Sequence, residues 1–186
     1  MMKAKLIAVT QPVVEGIENA KELIVFCARV SNPSNQMNME TADKLLAYLL
    51  KYKHFSPLEM ANAVVEVEVP RDIGRQLLRH GSFKFQEFSQ RYADVTQLED
   101  AFCIRGLRLQ DTKNRQNSLV TDDEELSEWW ENKQEILLGW VKSTYAAAIE
   151  KGIAKEVARV ILPEGLTMSR MYVNGTIRSW LHYLQV

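Results

Sequence analysis

The spacing of apolar residues predicts short helices and strands over most of the chain and one long helix in its last third. Residues 3–10 read as a strand. Over 15–30, Ile17, Leu23, Ile24, Cys27 and Ala28 recur at helical spacing, and the helix ends at Ala28-Arg29-Val30-Ser31. Asn32-Pro33-Ser34-Asn35 is a turn by composition. Residues 41–52 form a second amphipathic helix, with Leu45, Leu46, Leu49 and Leu50 on its inner stripe, and 54–59 a short polar connector. Over 61–69, Val65, Val67 and Val69 alternate with Glu66 and Glu68, which is a strand pattern. Pro70 starts a helix over 70–80, with Ile73, Gly74, Leu77 and Leu78 on one face and Asp72, Arg75, Gln76, Arg79 and His80 on the other. Gly81 ends it by adopting positive φ.

Beyond Gly81 an extended run continues to Tyr92, placing Glu87, Ser89 and Arg91 in one polar row. Residues 93–123 show no period and read as a surface loop at about 94–123. The long helix covers 124–151, capped by Asp122 or Asp123 and closed by Gly152, with Trp129, Trp130, Ile136, Leu137, Trp140, Tyr145 and Ile149 facing the core. A helix over 154–162 stops before Pro163; 166–173 is extended and 177–184 helical. Together these elements predict an α+β fold, a single domain over 1–186 with an antiparallel sheet flanked by long helices.

Composition narrows the class. The 186 residues are 46% hydrophobic and 25% charged with net charge −1, which argues against a general nucleic-acid binder. No apolar run approaches a membrane span, and the N-terminus lacks a signal-peptide core. Cys27 and Cys103 lie far apart, as buried thiols of a reducing compartment do, so the cytoplasm is expected. Three histidines without ligand spacing speak against a metal.

Against that neutral background the stretch from Arg79 to Tyr92 stands out. Three cations against one carboxylate leave it at +2, interleaved with Phe83, Phe85 and Phe88. Such a patch suits an anionic, ring-bearing partner. Its ordinary alternative is a basic helix end followed by a half-buried strand.

This stretch resembles the signature of the flavin-dependent thymidylate synthases: Arg-His-Arg, seven residues, Ser, one residue, then Arg-Tyr. Arg79, His80, Ser89, Arg91 and Tyr92 fit it, whereas Gly81 stands where the family has its second arginine. The likeness extends in order through 28–31, 54–59, 75–80, 156–163 and 177–180, and the polar insert after Tyr92 looks like the family's viral branch.

The resemblance implies reductive methylation of dUMP to dTMP. Methylenetetrahydrofolate supplies the carbon and FAD, reduced by NADPH, the hydride. By position, Ser31, Ser56, Glu59, Arg79, His80, Gly81, Gln86, Arg178 and His182 would hold FAD. The nucleotide would use Gln76, Glu87, Ser89, Gln90, Arg91 and Arg159, while His54, Ser89 and Arg159 would serve the chemistry. The resemblance further implies a homotetramer with shared sites, no nucleic acid or membrane partner, and a host cytoplasm if the chain is viral.

Taken singly, His54 is a surface or capping residue and Arg159 an ion-pair partner of Glu156 or Glu124. His80 is a helix cap, and Arg178 with His182 a solvated helix face. Two departures point to an alternative, a catalytically impaired nucleotide- and flavin-binding homologue: Gly81, and a family arginine expected just past Val186. Met60, where many members carry a histidine, is a milder one. A stacking platform for nucleic acid is the weakest reading, given the net charge.

Overall fold

The computed structural model describes residues 2–185; Met1 and Val186, on which the reading of the two ends rests, lie outside the described residues. In order, the chain forms β1 (Lys3–Val9), α1 (Ala20–Ala28), α2 (Ala42–Lys51), β2 (Asn62–Pro70), α3 (Arg71–Leu77) and β3 (Lys84–Glu87). There follow β4 (Leu109–Gln110), β5 (Ser118–Leu119), α4 (Glu124–Glu150), α5 (Lys155–Ala158), β6 (Met168–Thr176) and α6 (Ile177–Gln185). Short 3₁₀ turns occur at Pro33–Asn35, Ser56–Met60, Val95–Gln97 and Arg159–Ile161. This is an α+β fold, and by contacts the chain divides into two compact units.

One unit comprises Lys3–Val67, Leu78–Glu87 and the chain from Met171 onward. It is built on a four-stranded sheet in the order β1-β2-β6-β3. β1 and β2 run antiparallel, since the Thr10 amide, just past β1, donates to the carbonyl of Asn62 at the start of β2 (2.9 Å). The Ile177 amide, just past β6, donates to Ala61, just before β2 (2.9 Å), so those strands are antiparallel too. β3 pairs antiparallel with β6, Lys84 opposite Asn174 and Glu87 opposite Met171.

Beside the sheet, Ile24, Leu58 and Ala61 form a buried cluster with Phe55, Leu46, Ile177 and Leu181. α1 starts at Ala20 rather than 15 because Asn19 caps it: its side chain accepts from the Glu22 amide (3.0 Å), and the Glu22 carboxylate accepts from the Glu18 amide (2.7 Å). Arg29, buried past the end of α1, donates to the Asn38 carbonyl and to Thr41 Oγ1 (2.8 Å). On α2 the inner stripe is Ala42, Leu45, Leu46 and Leu49; Leu50 faces solvent. Gly175 is required on β6, because a Cβ there would lie 2.3 Å from the ring of buried Phe83.

The other unit comprises Met2, Glu68–Leu77 and Phe88–Arg170. Val95, Val141, Tyr145, Ala158 and Leu162 make its core, with Phe88, Phe102 and Ile149 packed on it. α4 begins and ends as its capping residues dictate. The Asp123 carboxylate accepts from the Leu126 amide at 2.9 Å, and Gly152 closes the helix with φ +76°.

Its buried face differs from the expected one: Gln134, Leu138, Val141 and Tyr145 are buried, while Trp129, Trp130, Ile136, Leu137 and Trp140 are exposed. Apolar residues lie on more than one side of this helix, so their spacing alone cannot pick the side that packs. Gln134 is held by a reciprocal pair with Arg105. Its Nε2 donates to the Arg105 carbonyl (2.8 Å) and its Oε1 accepts from the Arg105 amide (2.8 Å).

The expected loop at 94–123 is partly ordered by pairing. Phe102 bridges to Thr167, and β4 pairs with β5 through Leu109–Leu119 and Gln110–Ser118. Two-residue strands are too short to show a period. The expected helix over 154–162 is α5 running into the 3₁₀ turn at Arg159–Ile161.

The stretch around Gly81 departs most from expectation. α3 ends at Leu77, not at residue 80, and Gly81 is not among the glycines with positive φ. The Phe83 amide donates to the His80 carbonyl (3.1 Å), a turn that takes this segment out of the helix and lets Phe83 bury. Nor does the strand continue to residue 92. The Ser89 carbonyl accepts from the amides of Tyr92 (3.1 Å) and Ala93 (2.9 Å), so Glu87, Ser89 and Arg91 do not share a strand face. Past that bend the half-buried Phe88 packs against the Val95–Tyr145 core.

Candidate active site

Some of the residues singled out by sequence gather in two clusters, one in each unit. In the sheet unit, a cavity of about 540 Å³ is lined by Phe55, Glu59, Ser82, Arg178, Leu181 and His182, among others. Thr176 caps the start of α6, its Oγ1 accepting from the Ser179 amide (3.1 Å), and this fixes the turn that carries Arg178. Arg178 Nη1 donates to Glu59 Oε1 at 2.9 Å, with the guanidinium half exposed and the carboxylate less so. Arg178 and His182, one helical turn apart, therefore face a cavity.

His80 is half-buried, its ring edge-on to Tyr183 (centroids 5.0 Å apart) and 6.3 Å from Phe83. Gly81 is exposed, and a Cβ added there meets nothing within 4 Å. Ser31, His54, Arg79 and Gln86 are exposed and do not line the cavity, nor does Ser56 at the head of its 3₁₀ turn.

In the other unit the Ser89 turn presents Gln90, Arg91 and Tyr92 beside α5. Lys155 Nζ donates to the Tyr92 carbonyl (3.2 Å), and Arg91 Nε lies 3.6 Å from Glu156 Oε2. Arg159 donates to the Glu156 backbone carbonyl (3.3 Å). Two guanidinium groups thus meet at one residue, Arg91 at its side chain and Arg159 at its backbone. Gln90 is buried, and its Nε2 has no partner among the described residues.

Gln76 is exposed on α3, next to Arg75, which bonds Glu164 at 3.3 Å. Partial burial pushes the Glu164 carboxyl up, but hydrogen bonds and charge from Arg75 and Arg71 outweigh it and hold the group below the ordinary carboxylate range. Glu87 is half-buried in β3 opposite Met171. Burial pushes the thiols of Cys27 and Cys103 up, which keeps both protonated and disfavours either as a nucleophile.

Sequence reasoning treated Glu156 only as a possible ion-pair partner of Arg159; its carboxylate meets Arg91 instead. It missed Lys155 and Tyr183, whose contacts join segments far apart in the chain and leave no local signature.

Each cluster offers guanidinium and polar donors, which suit an anionic ligand. The chain belongs to the flavin-dependent thymidylate synthase family. The profile of the thymidylate synthase complementing protein family matches residues 12–186. The chain is 51% identical over 185 residues to a probable flavin-dependent thymidylate synthase of Paramecium bursaria Chlorella virus 1, covering all of this chain and 84% of that relative. It is 44% identical over 190 residues to the flavin-dependent thymidylate synthase of Synechocystis sp., again with 100% and 84% covered.

The fold matches the crystal structure of the UMP/dUMP methylase PolB from Streptomyces cacaoi bound with 5-Br dUMP, with a TM-score of 0.80 at 24% identity over all of this chain and 77% of that one. The enzyme class is thymidylate synthase and its cofactor a flavin. Among the described residues no helix is long and apolar enough to cross a membrane, and no group of His, Cys, Asp and Glu side chains is placed to hold a metal.

Proposed function

We propose that this enzyme converts dUMP to dTMP by reductive methylation, with methylenetetrahydrofolate as carbon donor and NADPH as reductant. The observation that supports this most is the similarity over the whole chain to relatives named flavin-dependent thymidylate synthase. FAD is the flavin of this reading, and its bound ring supplies the hydride chemistry.

The cavity's residues fit part of such a cofactor. Arg178 and the Ser82 hydroxyl are donors suited to its diphosphate, while Phe55 and Leu181 are apolar surface for a ring. Glu59 and His182 of the same cavity, with Ser31, Ser56, Arg79, His80, Gly81 and Gln86, complete the proposed flavin set. Arg91 and Arg159 neutralise the dUMP phosphate, with Gln76, Glu87, Ser89 and Gln90 as further nucleotide ligands. Ser89 acts there as a ligand, not a nucleophile, and His54 is proposed to serve the flavin and folate side.

The exposed Trp129, Ile136, Leu137 and Trp140 of α4 offer apolar surface for the proposed homotetramer. The test is dTMP formation, followed by mass, from dUMP, methylenetetrahydrofolate, NADPH and FAD, with each omitted in turn. Turnover that survives without flavin or without folate, or an active monomer by light scattering at micromolar concentration, would contradict the respective part.

Gly81 bears on how well flavin is held. Its open surroundings and ordinary φ mean that Gly81→Arg should fold normally. One added charge-assisted hydrogen bond, about 1.5 kcal/mol, is expected to tighten FAD about tenfold in a flavin titration. Unchanged affinity with a normal melt would remove position 81 from the flavin set.

A further inference from the structure

α3 is only seven residues long, too short to hold its direction by its own hydrogen bonds. Its course is set by the turn at 163–167 of the same compact unit. The Arg71 amide donates to the Thr167 carbonyl (2.9 Å) and the Asp72 amide to the Glu164 carbonyl (3.2 Å), so two amides that a helix start leaves unpaired are met from outside the helix. Arg105 Nη1 holds both oxygens of the Asp72 carboxylate (3.0 and 3.2 Å) and donates to the Gly165 carbonyl (3.3 Å). The start of α3 is thereby fixed several times over.

The end that carries Gln76 is tied differently. Leu77 is buried, Gln76 is exposed, and Arg75 Nε donates to Glu164 Oε2 (3.3 Å). The other oxygen of that carboxylate, Oε1, accepts from Nε of the buried Arg71 (3.4 Å). Glu164 therefore spans one turn of α3 with its two oxygens. Its own backbone is set by the preceding residue, since the Pro163 carbonyl accepts from the amides of Leu166 (3.1 Å) and Thr167 (2.9 Å). For stability the outer half of this bridge is worth little, because Arg75 and Glu164 are both 52% exposed. Its geometric effect is larger: it fixes the residue next to Gln76.

We propose that Glu164 is a positioning residue, which holds Arg75 against the 163–167 turn and so aims the Gln76 side chain at the nucleotide. This rests on the reading that Gln76 is a dUMP ligand. A glutamine amide bonds through two N–H donors and a carbonyl whose directions must be set. An exposed glutamine on a fraying last turn would lose both backbone and rotamer freedom on binding, which weakens affinity. The carboxylate of Glu164 removes the backbone share of that loss in advance. It acts through Arg75, not on the substrate.

Calorimetric titration of the full chain with dUMP tests this. Gln76→Ala is expected to weaken binding about tenfold. Glu164→Gln and Arg75→Met, which leave Gln76 in place, should each weaken it roughly three- to fivefold. Arg75→Lys keeps a cation for the carboxylate and should recover most of that loss. In the double variant Glu164→Gln/Gln76→Ala the loss should equal that of Gln76→Ala alone, because a residue acting through Gln76 then has nothing left to position. The melting temperature of Arg75→Met should stay within about 2 °C of the native value, with FAD affinity unchanged in a fluorescence titration. In the dTMP assay the Glu164→Gln defect is expected in the KM for dUMP, with kcat little changed.

A merely structural Glu164 would lower the melting temperature and the FAD affinity of both variants along with dUMP affinity, and that result overturns the inference. Losses that multiply in the double variant overturn it too, since Glu164 would then act elsewhere than through Gln76. So does native dUMP affinity in Glu164→Gln and Arg75→Met while Gln76→Ala binds weakly, a result that leaves Gln76 as a ligand. If Gln76→Ala itself binds dUMP like the native protein, the ligand reading of Gln76 falls and the positioning role with it.

Discussion

Arg91→Ala is expected to weaken dUMP binding by about 2–4 kcal/mol, roughly thirtyfold to nearly a thousandfold, while leaving the fold almost as stable as before. The asymmetry follows from the partners Arg91 has without nucleotide. Its guanidinium is 67% exposed and touches Glu156 at 3.6 Å, with that carboxylate 56% exposed. An exposed pair of that length contributes at most a few tenths of a kcal/mol, so removing it should move stability by roughly 0.5 kcal/mol or less.

A phosphate is a different partner. It carries more charge than a carboxylate and can take two parallel bonds from a guanidinium fork. Arg91→Lys keeps the charge but not the fork and is expected to fall between the two. Glu156→Gln frees Arg91 and should, if anything, strengthen dUMP binding a few-fold. Calorimetric titration with dUMP measures all three. An Arg91→Ala protein that binds dUMP like the native one would make Arg91 an ordinary surface residue.

How much of this was legible in the sequence depends on the range over which each feature is determined. α4 was bounded correctly because its ends are set locally, by the Asp123 carboxylate at one end and the left-handed Gly152 at the other. Its packing face was misread, since the side that packs depends on partners distant in the chain. Val95 and Leu162 meet Tyr145 and Val141, and the buried Gln134 is met by both the amide and the carbonyl of Arg105, 29 positions away.

The turn at Ser89 has the same kind of origin: Phe88 packs on residues distant in the chain, where an alternating pattern would carry the strand onward. The end of α2 was placed near its position, but its closure was hidden because lysine occupies the left-handed place where glycine would have announced it. At the candidate site, spacing identified the arginines. It did not pair them with carboxylates, Arg178 with Glu59 across 119 positions and Arg91 with Glu156.

The Arg178–Glu59 pair sets the last expectation. Arg178→Ala is expected to lower FAD affinity by about 2–3 kcal/mol, thirtyfold or more, by two routes. The first is the loss of a guanidinium donor from the wall of the cavity. The second is electrostatic: Glu59, whose carboxylate accepts from Arg178 at 2.9 Å, would remain in that wall without its cation and facing an anionic ligand. Both groups are partly solvated, so the second route is the smaller, about 0.5–1 kcal/mol.

A double-mutant cycle separates the two routes. Glu59→Gln in the Arg178→Ala background should recover a two- to fivefold share of the lost affinity, because it removes the carboxylate without restoring the donor. In the native background the same change should not tighten FAD by that factor, since there the charge is already met by Arg178. Flavin retention through gel filtration and a fluorescence titration give the four affinities without requiring turnover. Additive effects within about 0.3 kcal/mol would mean that the pair is only a surface contact and that Arg178 acts alone, and an unaltered FAD affinity in Arg178→Ala would place the flavin's anionic groups elsewhere.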